Sequence, residues 1–139
     1  MWVCETGDHA ALFTRSLVTA TPRWIAGEPP PALDPARTGD AAAGTLRCSA
    51  RVRHPGELHD CTVERATSCS EGLRVVFDAP VRGIAPMQAV ALYDGAVCLG
   101  GATIDARGPT LWEELSGMAL PTQSEHDRER DAVGATLRP

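Results

Sequence analysis

From Leu46 onward the chain alternates between apolar and polar positions. Leu46, Cys48, Ala50 and Val52 are interleaved with Arg47, Ser49, Arg51 and Arg53. A period of two sustained over eight residues marks a half-buried strand, here with a basic outer face. His54-Pro55-Gly56 then supplies a turn signal. Cys61-Thr62-Val63 opens a second strand, and Leu73-Arg74-Val75-Val76-Phe77 a third, entered through Glu71-Gly72. Ala89-Val90-Ala91-Leu92-Tyr93 and Val97-Cys98-Leu99 flank Asp94-Gly95. Asp-Gly between two apolar runs predicts a hairpin with a type I′ turn. Gly100-Gly101 in the last strand predicts a bulge or a barrel corner. Five short strands with edges to hide predict a mainly β fold, a small antiparallel barrel over residues 46–107. Its interior should hold Cys48, Ala50, Val52, Val63, Val75, Phe77, Leu92 and Leu99.

The flanks are less regular. Thr6-Gly7-Asp8 precedes a short helical signal at residues 9–13, with Asp8 as the capping side chain. Residues 16–21 and 23–25 look extended but are interrupted by Pro22, which suits an edge or a bulge. Residues 1–28 are accordingly set apart from the barrel. Residues 29–45, rich in Pro, Gly and Ala, are expected to be a linker that packs no core. Leu111-Trp112-Glu113-Glu114-Leu115 fits one amphipathic turn, and 123–131 is almost wholly polar. Residues 108–139 are therefore expected to be a mostly disordered tail.

Composition narrows the class. With 139 residues, 43% hydrophobic and 22% charged, the chain suits one globular domain with appendages. Its 13 Gly and 11 Pro favour turns over long helices. No apolar run reaches the roughly 20 residues of a membrane span. The acidic start, Met-Trp-Val-Cys-Glu, predicts neither a secretory signal nor a transit peptide. The net charge of −5 argues against a strongly basic nucleic-acid binder, yet it is unevenly spread. Residues 46–107 hold 7 Arg against 7 acids, so the deficit lies in the ends. All 13 basic residues are Arg, and a local Arg cluster on a neutral core can still grip phosphate.

Candidate chemistry is sparse. The five cysteines (Cys4, Cys48, Cys61, Cys69, Cys98) include no C-x-x-C pair, and no disulfide framework is expected. His54, His59, Cys61 and Cys69 match no common zinc spacing, so no metal is expected. Phosphate loop, nucleophile elbow and zinc-protease motifs are missing from the sequence. The residues alone give a β-barrel binding module whose best surface candidate is Arg51, Arg53 and His54. An ordinary solvated strand face is the plain alternative.

Seven collinear stretches carry a resemblance. They are Cys4-Glu5-Thr6-Gly7-Asp8-His9-Ala10-Ala11-Leu12-Phe13, Trp24-Ile25-Ala26-Gly27-Glu28-Pro29-Pro30, Leu46-Arg47-Cys48, Asp60-Cys61-Thr62-Val63, Val75-Val76-Phe77-Asp78-Ala79-Pro80, Pro86-Met87-Gln88-Ala89-Val90 and Tyr93-Asp94-Gly95-Ala96-Val97-Cys98-Leu99-Gly100-Gly101. Together they resemble the C-terminal part of the tRNA-specific 2-thiouridylases over residues 3–107. The resemblance implies the end of a small central domain at 1–28, a linker at 29–45, the family's C-terminal barrel, and a tail. It implies an enzyme that adenylates the wobble uridine and transfers persulfide sulfur. ATP, magnesium and a persulfide donor belong to the full-length enzyme. No catalytic or cofactor-binding residue matches in this chain, which is expected to be inactive alone.

The partner implied is tRNA, with no membrane involved. Arg53-His54 correspond to the family's Arg-Tyr pair, and Gln88 to the Gln of its Thr-Pro-Gly-Gln loop; Arg51 joins them as a neighbouring donor. His54 in place of Tyr weakens stacking, and Met87 in place of Gly crowds the backbone. The trailing extension suits the mitochondrial members, implying a mitochondrial address and otherwise a cytoplasmic one. The rival function is a free-standing protein-interaction barrel whose Arg face binds an acidic partner.

Overall fold

A computed structural model describes residues 4–34, 44–66 and 71–117. The strands are β1 (Phe13–Thr19), β2 (Arg23–Trp24), β3 (Thr45–Arg51), β4 (His59–Arg65), β5 (Leu73–Arg82), β6 (Ala89–Asp94) and β7 (Val97–Arg107). One α-helix, α1 (Leu111–Ser116), follows them. Six strands form a ring in the order β1-β5-β4-β3-β6-β7, and β7 pairs back to β1. Every pairing is antiparallel, so the fold is a closed barrel, as the alternation predicts.

The interior follows from strand parity. Leu73, Val75, Phe77 and Val81 of β5 are buried, and so are Ala50 of β3, Cys61 and Val63 of β4, and Leu92 of β6. Val52, Leu17, Ile84, Val90 and Ile104 join the same cluster. Cys48 and Leu99 pack against it but remain half-buried. Each large aliphatic side chain fully withdrawn from water contributes about 1.5–3 kcal/mol before entropy is charged against it.

Four sequence expectations need correction. Residues 1–28 do not stand apart: β1 pairs with both β5 and β7 and closes the ring. Its parity is hidden by a bulge between Thr14 and Ser16, so the buried positions fall at Thr14, Leu17 and Thr19. The 29–45 segment is not an inert linker throughout. A 3-10 turn, Pro31–Leu33, puts Leu33 into the core at 1% exposure, and its carbonyl accepts from Arg65 Nε at 3.0 Å. Arg65 ends β4, so Leu33 plugs that end of the barrel.

The start of the tail is ordered. Thr110 and Glu113 make a reciprocal capping box on α1, and Arg107 grips the Glu113 carboxylate at 2.8 and 3.2 Å. The tail from 118 on, like the segments 35–43 and 67–70, lies outside the described residues. Finally, the β6–β7 hairpin turns on Gly95-Ala96, with Asp94 paired to Val97. Among the described non-glycine residues only Met87 has positive φ, so positive φ at this turn is confined to Gly95. That is the II′ pattern and not I′.

Smaller adjustments follow. His9, not Asp8, caps the first 3-10 turn, its Nδ1 accepting from the Ala11 amide at 3.1 Å. The expected bulge is real: the β6–β7 register slips between Leu92 and Tyr93, opposite Leu99. Gly100 then lies under the crossing β2, where a Cβ would run into the Arg23 carbonyl.

Candidate nucleic-acid interface

The end of the barrel opposite Leu33 gathers the candidate residues. β3 and β6 pair from Ser49↔Tyr93 to Arg51↔Ala91. Arg53 and His54 therefore leave β3 at the end where Gln88 enters β6. The β5–β6 loop carries Gln88, and its backbone is fixed against β7: Met87 N–H donates to Ile104 O at 2.9 Å, and Ile104 N–H to Gln88 O at 2.7 Å. All four sequence candidates, Arg51, Arg53, His54 and Gln88, thus lie on one end of the molecule.

Arg53 is held at the base. Its Nη2 donates to the Arg82 carbonyl at 3.1 Å, and its guanidinium lies across Gly83. Gly83 has φ of 71° and no side chain, which is what lets the guanidinium settle there. Below it is a cleft of about 180 Å³ lined by Val52, Arg53, Gly56, Glu57, His59 and Arg82, with Val81 completing the wall. His54 is exposed in the turn that follows β3. His59 opens β4 and meets the Phe77 ring edge-on at 6.1 Å.

Arg51 projects from the outer face onto Tyr93, with Cζ 5.5 Å from the ring centroid. This cation–π contact fixes the guanidinium without neutralising it. Arg51 Nε is nevertheless buried with no hydrogen-bond partner, and Gln88 Oε1 is the same. Among the described residues, no other buried side-chain nitrogen or oxygen is left in that state. The described ion pairs hold Arg47 to Asp78, Arg74 to Glu64 and Arg107 to Glu113, none of them on Arg51, Arg53 or Arg82. The mouth is locally cationic on a chain that is acidic overall.

Met87 occupies the position where a glycine was expected, and the backbone there has kept the glycine conformation. Its φ is 69° and its side chain is 86% exposed. An L-residue pays about 1–2 kcal/mol for that region. Two members of the mouth escaped sequence reasoning: Arg82, which needed the β5 register, and Tyr93, which needed the β3–β6 pairing. Only the shared outward parity of Arg51 and Tyr93 hinted at the second. Of the metal candidates, Cys61 faces the interior beside Cys48, and Cys69 lies outside the described residues. Among the described residues no group of three His, Cys, Asp or Glu converges.

Fold and mouth together define a class: a closed six-stranded barrel with exposed Arg53 and His54 at one end, beside the buried, partnerless polar atoms of Arg51 and Gln88. The chain belongs to the aminomethyltransferase beta-barrel domain family, whose model matches residues 14–104. That match starts inside β1, in keeping with a barrel that β1 closes. The chain is 37% identical over 118 residues to the tRNA-specific 2-thiouridylase MnmA of Marinobacter nauticus, covering 85% of this chain and 25% of that protein. It is 36% identical over 107 residues to those of Alkaliphilus oremlandii and Burkholderia mallei, covering 76% of this chain and 25% of each. The chain therefore spans about a quarter of the length of these relatives, and it corresponds to their C-terminal part. The relatives are bacterial, which lends no support to the mitochondrial address. No helix among the described residues is long and apolar enough to cross a membrane.

Proposed function

We propose that this chain is the C-terminal, tRNA-positioning portion of a tRNA 2-thiouridylase. The carrying observation is the pair of buried, partnerless polar atoms, Arg51 Nε and Gln88 Oε1, both at the mouth. A buried polar atom without a partner costs about 1–3 kcal/mol, and a side chain that turns outward to meet a ligand supplying the missing acceptor or donor recovers it. RNA has both, in its phosphate oxygens and its 2′-hydroxyls. Arg53 offers further donors to phosphate, and the exposed His54 an aromatic face to ribose or base. Among the described residues the mouth arginines carry no carboxylate partner, so binding breaks no ion pair there.

In this reading the sulfur chemistry belongs to the rest of the enzyme, together with ATP, magnesium and the persulfide donor. The described residues do not fit a nucleotide triphosphate. α1 is only six residues long, and its capping box already engages the Thr110 and Glu113 amides and sets the Glu113 carboxylate at its start. No step of adenylation is therefore assigned to this chain, which is expected to release no AMP on its own.

The test is direct binding of the 139-residue chain to a tRNA anticodon arm across a salt series. Affinity should fall linearly on logarithmic axes, with a slope near −0.7 to −0.9 for each phosphate neutralised. Absence of binding to any tRNA at low salt would instead favour a protein-interaction barrel. Met87, 86% exposed beside the mouth, is the feature that such a partner would use. A parallel incubation with ATP, magnesium, a persulfide donor and unmodified tRNA checks catalytic silence. Either AMP or 2-thiouridine above a no-protein control would overturn that part.

A further inference from the structure

We propose that Cys48 and Cys61 form a reversible dithiol–disulfide site, oxidised in place by a hydroperoxide, with Cys48 attacking and Cys61 resolving. The two are direct partners on neighbouring antiparallel strands, and their Sγ atoms are 3.8 Å apart. Opposed residues on such strands have Cα atoms about 4.5 or 5.5 Å apart, and both spacings fall inside the roughly 4.4–6.8 Å that a disulfide spans. The sulfurs need approach by less than about 2 Å to bond. Neither strand has to move out of register.

The environments of the two thiols divide the roles. Cys61 is fully buried, whereas Cys48 is half-buried and is the one a small oxidant can reach. The hydrogen bond shared with Cys61 holds the Cys48 thiol below its ordinary range, and the Arg47 cation assists; Cys61 Sγ is also within 3.5 Å of the Cys48 carbonyl, which helps to keep its proton in place. The same hydrogen bond, together with burial, pushes Cys61 far upward. The nucleophile is thus the accessible sulfur and the proton stays on the enclosed one. Cys98 has its Sγ 4.0 Å from the Gly100 carbonyl, and among the described residues the one Sγ–Sγ contact is that of Cys48 with Cys61.

The chemistry balances. Cys48 thiolate attacks one peroxide oxygen, the O–O bond breaks, and the leaving hydroxide takes up a proton to become water. Cys48 is now a sulfenic acid. Cys61 sulfur displaces its hydroxyl, the S–S bond forms, and the Cys61 proton leaves with that hydroxyl as a second water. Two thiols lose two electrons and the peroxide gains them. None of this depends on RNA binding.

The experiment is a hydrogen peroxide titration of the full chain, followed by alkylation, non-reducing tryptic digestion and mass spectrometry. Trypsin cuts after arginine, so the cross-link should join peptide 48–51 to peptide 54–65. The joined mass should be about 2 Da below the sum of the two free peptides, and the species should vanish with a thiol reductant. Cys61→Ser should leave Cys48 as a sulfenic acid that dimedone traps, and Cys48→Ala should abolish the cross-link while Cys61 stays alkylatable only after unfolding. Circular dichroism of both variants establishes that the barrel is intact, and Cys48→Ala, at the half-buried position, carries the test should Cys61→Ser not fold. The proposal is overturned if peroxide modifies Cys4 or Cys98 while the 48–51 and 54–65 peptides remain unlinked.

Discussion

Strand β3 puts arginines of identical chemistry in opposite circumstances at its two ends. Near its start, Arg47 makes a two-pronged ion pair with Asp78 at 2.7 and 2.8 Å and also reaches Thr62 Oγ1 at 3.2 Å. Near its finish, Arg51 rests on an aromatic ring with an unmatched Nε, and Arg53, just beyond, holds a carbonyl. The first end is electrostatically complete, and the second is left open. Polar atoms that a fold could satisfy and does not are where a ligand gains most, because no ion pair must be surrendered to reach them. The basic face seen in sequence is thus two surfaces, and only one of them is available.

The comparison breaks most visibly in binding. Arg51→Ala with Arg53→Ala should weaken anticodon-arm binding about ten- to hundredfold at low salt and flatten the salt slope by one to two phosphates. Arg47→Ala, removing the same charge from the completed end, should leave affinity within about twofold. Filter binding of the three chains side by side checks this, and equal losses would erase the distinction. A second break targets the base beneath Arg53. In Gly83→Ala the added Cβ would collide with the guanidinium, and φ of 71° becomes unfavourable. Stability should drop by about 1–2 kcal/mol in urea unfolding, with weaker RNA binding alongside.

How much of this was legible in the sequence depends on whether one strand or two carry the signal. Parity along β3, β4, β5 and β6 exposed the barrel because each strand keeps its period. Residues 16–21 read as extended, but the place of β1 in the barrel was missed because the bulge at Thr14 to Ser16 changes its phase, and Leu33 was missed because a proline-rich segment gives no periodic cue. Arg51, Arg53 and His54 were readable from the alternation and the turn that ends it, whereas Gln88 was readable only from the family resemblance. What no single strand reveals is which arginine finds an acid. Asp78 lies 31 residues from Arg47, and only the β3–β4–β5 register brings them together.

Gln88 sharpens the contrast with opposite signs in two measurements. Its buried Oε1 has no partner, so Gln88→Leu removes a desolvated oxygen and keeps the volume. The barrel should gain about 1 kcal/mol in urea unfolding while RNA affinity falls severalfold. A loss of stability instead would mean that the amide is already satisfied in solution, and the open end would lose half its basis.

The smallest effect lies at the completed end and appears only in acid. Asp78 is held below the ordinary carboxylate value of 3.8, first by the hydrogen bond from Arg47 and then, against a burial cost, by its charge. Both groups are exposed, so solvent and salt screen most of the interaction. A depressed folded pKa means that the unfolded chain binds the proton more readily, so stability from this pair is present in full above the unfolded value. It declines as pH falls below about 4 and is gone once the lower folded value is passed. Asp78→Asn should therefore shift Tm by no more than a few degrees at pH 7, and the gap between variant and parent should shrink as acid titrates the parent carboxylate. Thermal melts from pH 7 down to pH 2.5 check it. A gap that stays constant over that range would show that Arg47 draws nothing from the Asp78 charge, leaving it as unmatched as Arg51 at the other end.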